Sequence, residues 1–489
     1  MTIRKNLKIT GIANLIAFVL GFASVLIVSR ILTPTEIGIF SVSVAVLGLA
    51  HIFRDFGVNN YLVQAADVGK QQFRAAFSIT LYTSWLIASV LYLSRNVLAT
   101  LYGHQGVSEI LSLLSINFLI LPFGAPLLSL MRRDMQFDKL ALCMIFSTLI
   151  QTSVTVGCAL AGEGYLSMAW GAVAAHLCKM ILLNFLRPGE IFMLPTMKGL
   201  GEVFRFGSVS SLTSIIKELG SSSPDLILGR TLGFVEIAYF SRAIGLKKML
   251  IERLINLVRG VHFPTFASEL RKGENPANLY AKAMLYMVSI TIPVLAFLAI
   301  ISEPLIIFLF GDQWERSAWL ATLICSYSIL TAPYSLYGLS LIAAGKVNLT
   351  LKAELIVFCT KILILLTSLW LTLEDVVALL GVAFLIEAIV SQLTLRRAFG
   401  LTFSKLLSAI KPSLLLLPLS LAGPTLVIYF SNVFEYREFR FVILLSSSLL
   451  AAIGWLTSIY LTNHLMKVEV NSIVQTIKVS LSKNFASKA

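Results

Sequence analysis

Charge interrupts this chain so rarely, and at such regular intervals, that few folds are open to it. Runs of mostly apolar residues lie near 8–31, 35–57, 75–95, 108–131, 139–161, 166–186, 203–229, 232–258, 279–302, 316–342, 350–372, 376–396, 407–430 and 439–462. A helix needs ~20 such residues to cross the hydrocarbon of a bilayer. No water reaches that layer, so every backbone N–H and C=O must be satisfied within the helix itself. The pattern predicts an all-α integral membrane chain with about 14 transmembrane helices. Charged residues make up 13% of the sequence, against ~25% in soluble domains.

Orientation follows from the basic residues. If the N-terminus is cytoplasmic, 26 of the 39 Lys and Arg fall on that face and six on the other. A miscounted helix would erase this asymmetry, so an even count with both termini inside is expected. The net charge of +14 therefore points to lipid headgroups and topology, with no nucleic-acid partner. The basic start MTIRKNLK precedes an apolar run with no A-x-A site after it, and reads as an uncleaved first helix.

A second constraint is internal repetition. LIVSRILTPTEIGIFS (26–41) returns as LILGRTLGFVEIAYFS (226–241), without a gap and 200 residues on. Each copy ends one apolar run, turns, and begins the next, as in transporters built from two related halves. Both copies start from the same face, so the halves are expected as parallel six-helix repeats. The expected division is an N-terminal lobe over 1–190, a C-terminal lobe over 200–400, two extra helices over 401–465 and a basic cytoplasmic tail over 466–489.

Motifs for chemistry are sparse. The five cysteines and five histidines are scattered, with no metal-ligand spacing. No GxxxxGK[ST] phosphate loop occurs, so the chain supplies no ATP hydrolysis. No catalytic residue, metal or cofactor is expected, and no loop is long enough for a separate catalytic domain.

The informative residues are charges inside the apolar runs, where each costs ~3 kcal/mol unless it is paired or wet. Lys361 and Glu387 fall at equal depth on neighbouring antiparallel helices and suit a structural ion pair. Lys179, near the inner end of the sixth run, suits a side chain reaching the cytoplasmic headgroups. The seventh and eighth runs are denser. Lys217, Glu218 and Asp225 lie on one, with Pro224 as a bend or hinge. Arg242, Lys247, Lys248, Glu252 and Arg253 lie on the other. Five cations face three carboxylates there. Two readings are open: a neutralised network with Lys248 and Glu252 as an i, i+4 pair, or the wall of a water-filled cavity that attracts a polyanion. The cationic surplus favours the cavity, with Glu218, Asp225 and Glu252 as coupling candidates. Arg30 and Arg54, at the ends of the first two runs, are further candidates for phosphate contacts.

SRILTPTEIGIFS (29–41), FRDFGVNNYLVQ (53–64), PDLILGRTLGFVEIAYFSRA (224–243), HFPTFASEL (262–270) and FGDQW (310–314) resemble the bacterial O-antigen and exopolysaccharide flippases. These form the polysaccharide transporter family of the multidrug/oligosaccharidyl-lipid/polysaccharide superfamily. The resemblance implies two six-helix lobes in a V around a central cavity that opens alternately to each face. It implies a bacterial inner-membrane flippase for undecaprenyl-pyrophosphate-linked oligosaccharide, with arginines of the cavity on the pyrophosphate. Arg30, Arg54 and Arg242 fall on the matching helices. Lys217, Lys247 and Lys248 join them by burial. Expected partners are the lipid-linked oligosaccharide, membrane lipids, a coupling ion (proton or sodium) and polysaccharide polymerases. The alternatives are a multidrug cation antiporter, which would carry deep acidic residues in the first half, and a membrane-embedded glycan polymerase or ligase.

Overall fold

In the computed structural model, residues 3–55, 69–188, 195–196, 200–433, 439–472 and 475 are described. Side chains within these are described except at 3–8, 52, 53, 55, 200–214, 217 and 257. Among these residues the regular structure is helical, with no strand. The chain is an all-α membrane protein.

Helices occupy all fourteen apolar stretches, but not as fourteen unbroken rods. In chain order they are α1 (Ile3–Ile31), α2 (Pro34–Asp55), α3 (Lys70–Tyr102), α4 (Gln105–Ile120), α5 (Ala125–Arg133), α6 (Phe137–Leu160) and α7 (Leu166–Leu186). There follow α8 (Leu200–Thr231), α9 (Phe234–Lys247), α10 (Arg253–Arg271), α11 (Pro276–Phe310), α12 (Glu315–Thr331) and α13 (Tyr337–Ala343). The last are α14 (Val347–Leu366), α15 (Leu373–Phe399), α16 (Phe403–Leu414), α17 (Leu417–Val433) and α18 (Arg440–Leu461). Nine described helices are individually long and apolar enough to span, or ten if α16 and α17, bent by 49°, count as one span. The rest are too polar or too short. Lys217, Glu218 and Asp225 interrupt α8, while Lys352, Glu354 and Lys361 interrupt α14. Helices α12 and α9 have only 17 and 14 residues.

The helices divide into two compact units, Met1–Ser241 with Ser368–Trp370, and Arg242–Thr367 with Leu371–Ala489. In the first, the repeated sequence makes two hairpins with different locks. The first turn is a capping box. Thr33 N–H and Oγ1 donate to Glu36 Oε2 at 2.8 and 2.7 Å, and the Glu36 N–H returns a bond to Thr33 Oγ1 at 3.4 Å. The second copy has glycine in place of that threonine. Gly233 takes φ +94°, a left-handed conformation that costs glycine little. Its N–H closes on Leu228 O at 3.2 Å.

The two hairpins meet at backbone contact. A Cβ at Gly38 would stand 1.9 Å from the Phe234 carbonyl oxygen, and one at Gly229 2.4 Å from Val42 Cγ2. Lipid offers no hydrophobic drive between helices, so close approach over small residues is the means of holding them. Tyr102 Oη fastens the seam by donating to Leu226 O at 3.1 Å. Behind it Val107, Ile110, Leu111 and Phe118 of α4 are fully buried against Ile39, Leu91 and Ala169.

In the second unit α11 is the central post. Tyr280, fully buried on it, donates its hydroxyl to Pro333 O at 2.8 Å. The last helices dock on α11 through polar groups: Trp455 Nε1 of α18 donates to Ser289 O at 2.9 Å. Just beyond α18, His464 lies buried with Nε2 3.3 Å from both Ser289 Oγ and Ser413 Oγ. Its Nδ1 accepts from Met466 N–H at 3.1 Å, so this nitrogen carries no proton.

Burial holds the pKa of His464 below the ordinary imidazole value, and that of His262, bonded to Ser340 Oγ at 2.8 Å, likewise. Both rings fold neutral, whereas the unfolded chain takes up a proton near pH ~6.5. Their contribution is complete above that pH and is lost as pH falls through it toward the lowered folded values. The melting temperature of the purified protein should therefore drop between about pH 7 and 5. In a His262→Gln/His464→Gln double variant this slope should flatten, and an unchanged slope would count against the account.

Candidate functional site

The fourth apolar run breaks where it would be expected to continue. Pro122 cannot donate a backbone bond, and the chain passes through a 3₁₀ turn, Leu121–Phe123, before α5 starts at Ala125. Asn184 of α7 ties this turn down, its Nδ2 donating to Phe123 O at 3.0 Å and Met180 O at 2.8 Å. The broken helix leaves a cavity of about 260 Å³ in the first unit. Gly124 at the break packs close to α7, where a Cβ would meet Leu183 Cδ1 at 3.4 Å and Met180 Cα at 3.6 Å. Its polar lining residues are Arg54 of α2 and His176 and Lys179 of α7, and among the described lining residues none is acidic.

Bonding fixes the tautomer of His176. A carbonyl only accepts, so the 3.0 Å contact from Nδ1 to Ala172 O puts a proton on Nδ1 and leaves Nε2 for other partners. Among the described lining residues the charged groups are alike in sign. Arg132 and Arg54 both act on Lys179, and Lys179 and Arg54 both act on His176.

The second unit handles its charges differently. Lys361 Nζ donates to Glu387 Oε2 at 2.7 Å. Two ammonium groups approach the Phe384 ring, Lys247 Nζ 5.3 Å and Lys361 Nζ 5.8 Å from its centre. Arg242 is enclosed by aromatics, its guanidinium 5.1 Å from the Trp314 ring and 5.5 Å from Phe310. Its Nε finds no hydrogen-bond partner among the described residues. The Gly311–Trp314 turn thus serves Arg242. Gly311 ends α11 at φ +102°, Trp314 is fully buried, and Asp312 accepts from Arg440 at 2.9 Å.

The other residues singled out by sequence scatter. Lys248 and Glu252 are exposed at the two ends of a π-helical turn, Lys248–Glu252. An i, i+4 spacing is read for an α-helix and does not carry over to that wider turn. Glu218 accepts from Ser222 Oγ at 3.3 Å, and both turn toward Gly48, where a Cβ would meet them at 2.8 and 2.9 Å. Pro224 lies inside the continuous α8, and Asp225 beside it is half-buried. Arg30 is exposed at the end of α1. The side chain of Lys217, and the tail 466–489 beyond 475, lie outside the described residues. Arg30, Arg54, Lys217, Glu218, Pro224 and Asp225 belong to the first unit, and Arg242, Lys247, Lys248 and Glu252 to the second. His176 went unremarked in the sequence because nothing there marks a helix break as a cavity. The signal was L-P-F-G inside an apolar run.

Residues 27–319 match the family described as "Polysaccharide biosynthesis protein". The lipopolysaccharide biosynthesis protein WzxC of Escherichia coli (strain K12) is 22% identical over 354 residues, 71% of this chain and 70% of that protein. The succinoglycan biosynthesis transport protein ExoT of Rhizobium meliloti (strain 1021) is 26% identical over 335 residues, 68% of this chain and 67% of its own. Among solved structures, the lipid II flippase MurJ in an inward closed conformation superposes with a TM-score of 0.72. That likeness covers 92% of this chain and 98% of that one at 12% identity, and is one of fold.

Proposed function

The chain belongs to the polysaccharide biosynthesis protein family, and from that premise we propose that it is a flippase for lipid-linked oligosaccharide. It moves an undecaprenyl-pyrophosphate-linked O-antigen or exopolysaccharide repeat unit from the cytoplasmic to the outer leaflet of a bacterial inner membrane. Its fourteen spans form two parallel six-helix lobes and two further helices, with both termini cytoplasmic. The lobes alternate in access, and the chain catalyses no covalent step. An ion gradient, of protons or sodium, supplies the energy. A polymerase on the far side consumes the product.

The observation that carries this reading is the placing of cations within lipid-embedded helices. Lys179 of α7 and Arg242 of α9 sit within helices, where a charge costs ~3 kcal/mol unless it is wet or paired. Such an expense in a family of polysaccharide proteins fits an anionic cargo. Arg30, Arg54, Lys217 and Lys248 extend the set, and Glu218, Asp225 and Glu252 are its acidic counterparts. WzxC and ExoT, as their names state, serve lipopolysaccharide biosynthesis and succinoglycan biosynthesis transport.

Deleting the gene should remove the surface polysaccharide and strand its lipid-linked repeat unit on the cytoplasmic leaflet. The intact gene should restore export. Normal surface polymer in the deletion strain would reject the reading.

A further inference from the structure

We propose that a cavity of the second unit, at the joined ends of α11, α12, α17 and α18, binds the zwitterionic headgroup of phosphatidylethanolamine from the surrounding bilayer. Arg440 takes the phosphate, and Glu303 and Glu315 take the ammonium. The site is a structural-lipid site, distinct from the transport reading above and independent of it.

Three observations carry it. The first is that the cavity has two electrical ends. Arg440 opens α18, and Phe439 before it offers no side-chain acceptor to the first turn. The guanidinium and the N–H groups of that turn make the positive end. Arg440 gives Nη1 to Asp312 Oδ1 at 2.9 Å, while its Nε and Nη2 make no hydrogen bond among the described residues. Of the other sign are Glu303 of α11 and Glu315 at the start of α12. The last turn of α17 adds Asn432 and the carbonyl end of a helix dipole. Pro304 has no N–H to give to Ile300 O, so that carbonyl loses its helical donor where both residues line the cavity.

The second is the chemistry such a lining selects. A simple anion meets two carboxylates there, and a simple cation meets the guanidinium. A ligand with both charges on one short arm satisfies both ends. A primary ammonium also brings three N–H donors to these acceptors, whereas the trimethylated ammonium of choline brings none.

The third is place and size. Trp319, one turn into α12, and Tyr429, one turn before the end of α17, are exposed at the depth where such residues mark the membrane–water boundary. Phe308 and Phe441 follow the lining residues Ile307 and Arg440 in sequence, with ring centres 6.0 Å apart. Both are exposed and give acyl chains an apolar surface beside the cavity. At about 120 Å³ the space lies well below the ~300–1,000 Å³ of drug-sized ligand pockets. It admits a headgroup arm and excludes a sugar chain.

The test counts, by native mass spectrometry, the lipids retained by the full-length protein. The protein is first equilibrated in detergent with equal amounts of phosphatidylethanolamine, phosphatidylcholine and phosphatidylglycerol of one acyl composition. Phosphatidylethanolamine should be retained over both others, and stepwise N-methylation of its amine should weaken retention in step. Arg440→Gln and Glu315→Gln should each cut the preference about tenfold, the loss of one charge-assisted contact. Asp312→Asn breaks the Arg440–Asp312 pair but leaves the guanidinium in place, and should keep the preference. A loss there as large as in Arg440→Gln would reduce Arg440 to a structural role and overturn its assignment. Glu315→Gln, at an exposed position, gives the reading should Arg440→Gln fold poorly. Equal retention of phosphatidylethanolamine and phosphatidylcholine, a preference for phosphatidylglycerol, or a preference unmoved in both glutamine variants would overturn the proposal. Thermal stabilisation by magnesium that vanishes in Glu315→Gln, without selective lipid retention, would assign the cavity to a metal cation and overturn it as well.

Discussion

Gly38→Ala should be among the most damaging single-methyl changes this protein can suffer. The added Cβ would lie 1.9 Å from the Phe234 carbonyl oxygen, 2.6 Å from its carbon and 2.9 Å from its Cα. All three are backbone atoms at the start of α9, so no rotamer change relieves the clash. Overpacking costs ~1–3 kcal/mol, and a contact this deep belongs at or beyond the top of that range. Alanine returns ~1 kcal/mol of helix propensity over glycine, which is too little to offset it. Two nearby glycines set a scale. At Gly229 the obstacle is Val42 Cγ2 at 2.4 Å, on a β-branched side chain with little freedom to turn aside. At Gly48 the obstacles are Glu218 Oε1 and Ser222 Oγ, ends of side chains that swing away. Melting temperatures in detergent should fall in the order Gly38→Ala, Gly229→Ala, Gly48→Ala, largest drop first. A Gly48→Ala variant as unstable as Gly38→Ala would show that the seam between the hairpins is looser than described.

The same seam shows what could be read from sequence. Both hairpins were visible as a repeat, and T-P-T-E is a helix start by its spacing alone. Their mutual contact was not, because a glycine in an apolar helix looks the same whether it faces lipid or another backbone. The helices themselves were legible to within a few residues at most ends, since apolar run length is set by membrane thickness. Their interruptions were not. Pro122 and Pro333 lie inside runs whose average hydropathy conceals a break, yet each marks a 3₁₀ turn, Leu121–Phe123 and Ala332–Tyr334. Lys179 illustrates the effect on the candidate site. Taken alone, a lysine near a helix end reaches for headgroups. Only the cavity, which exists because α4 stops at Ile120, sets it opposite Arg54 and beside His176. The cations of α8 and α9 were legible as a cluster but not in their surroundings, since aromatic rings such as Trp314 and Phe384 approach from distant sequence.

Glu387→Gln should cost more than Lys361→Met, although each breaks the same 2.7 Å pair. Without the carboxylate, Lys361 and Lys247 remain as two ammonium groups near the Phe384 ring, and Lys361 has lost its ion-pair partner. Without Lys361, the carboxylate keeps Lys247, on which it already acts. Removing one partner of a fully buried pair costs ~3–5 kcal/mol. Here the side chains are 31% and 26% exposed, so screening reduces this to about 2 kcal/mol for Glu387→Gln and about 1 kcal/mol for Lys361→Met. The double variant should lie below the sum of the two, because each change removes the reason the other hurts. Glu387→Lys, which places a third cation in the cluster, should be the worst of the series. Thermal melts of the four variants in one detergent decide it. If Lys361→Met proves the more damaging single change, Lys247 is not the second partner of Glu387. The second unit would then hold a simple Lys361–Glu387 pair.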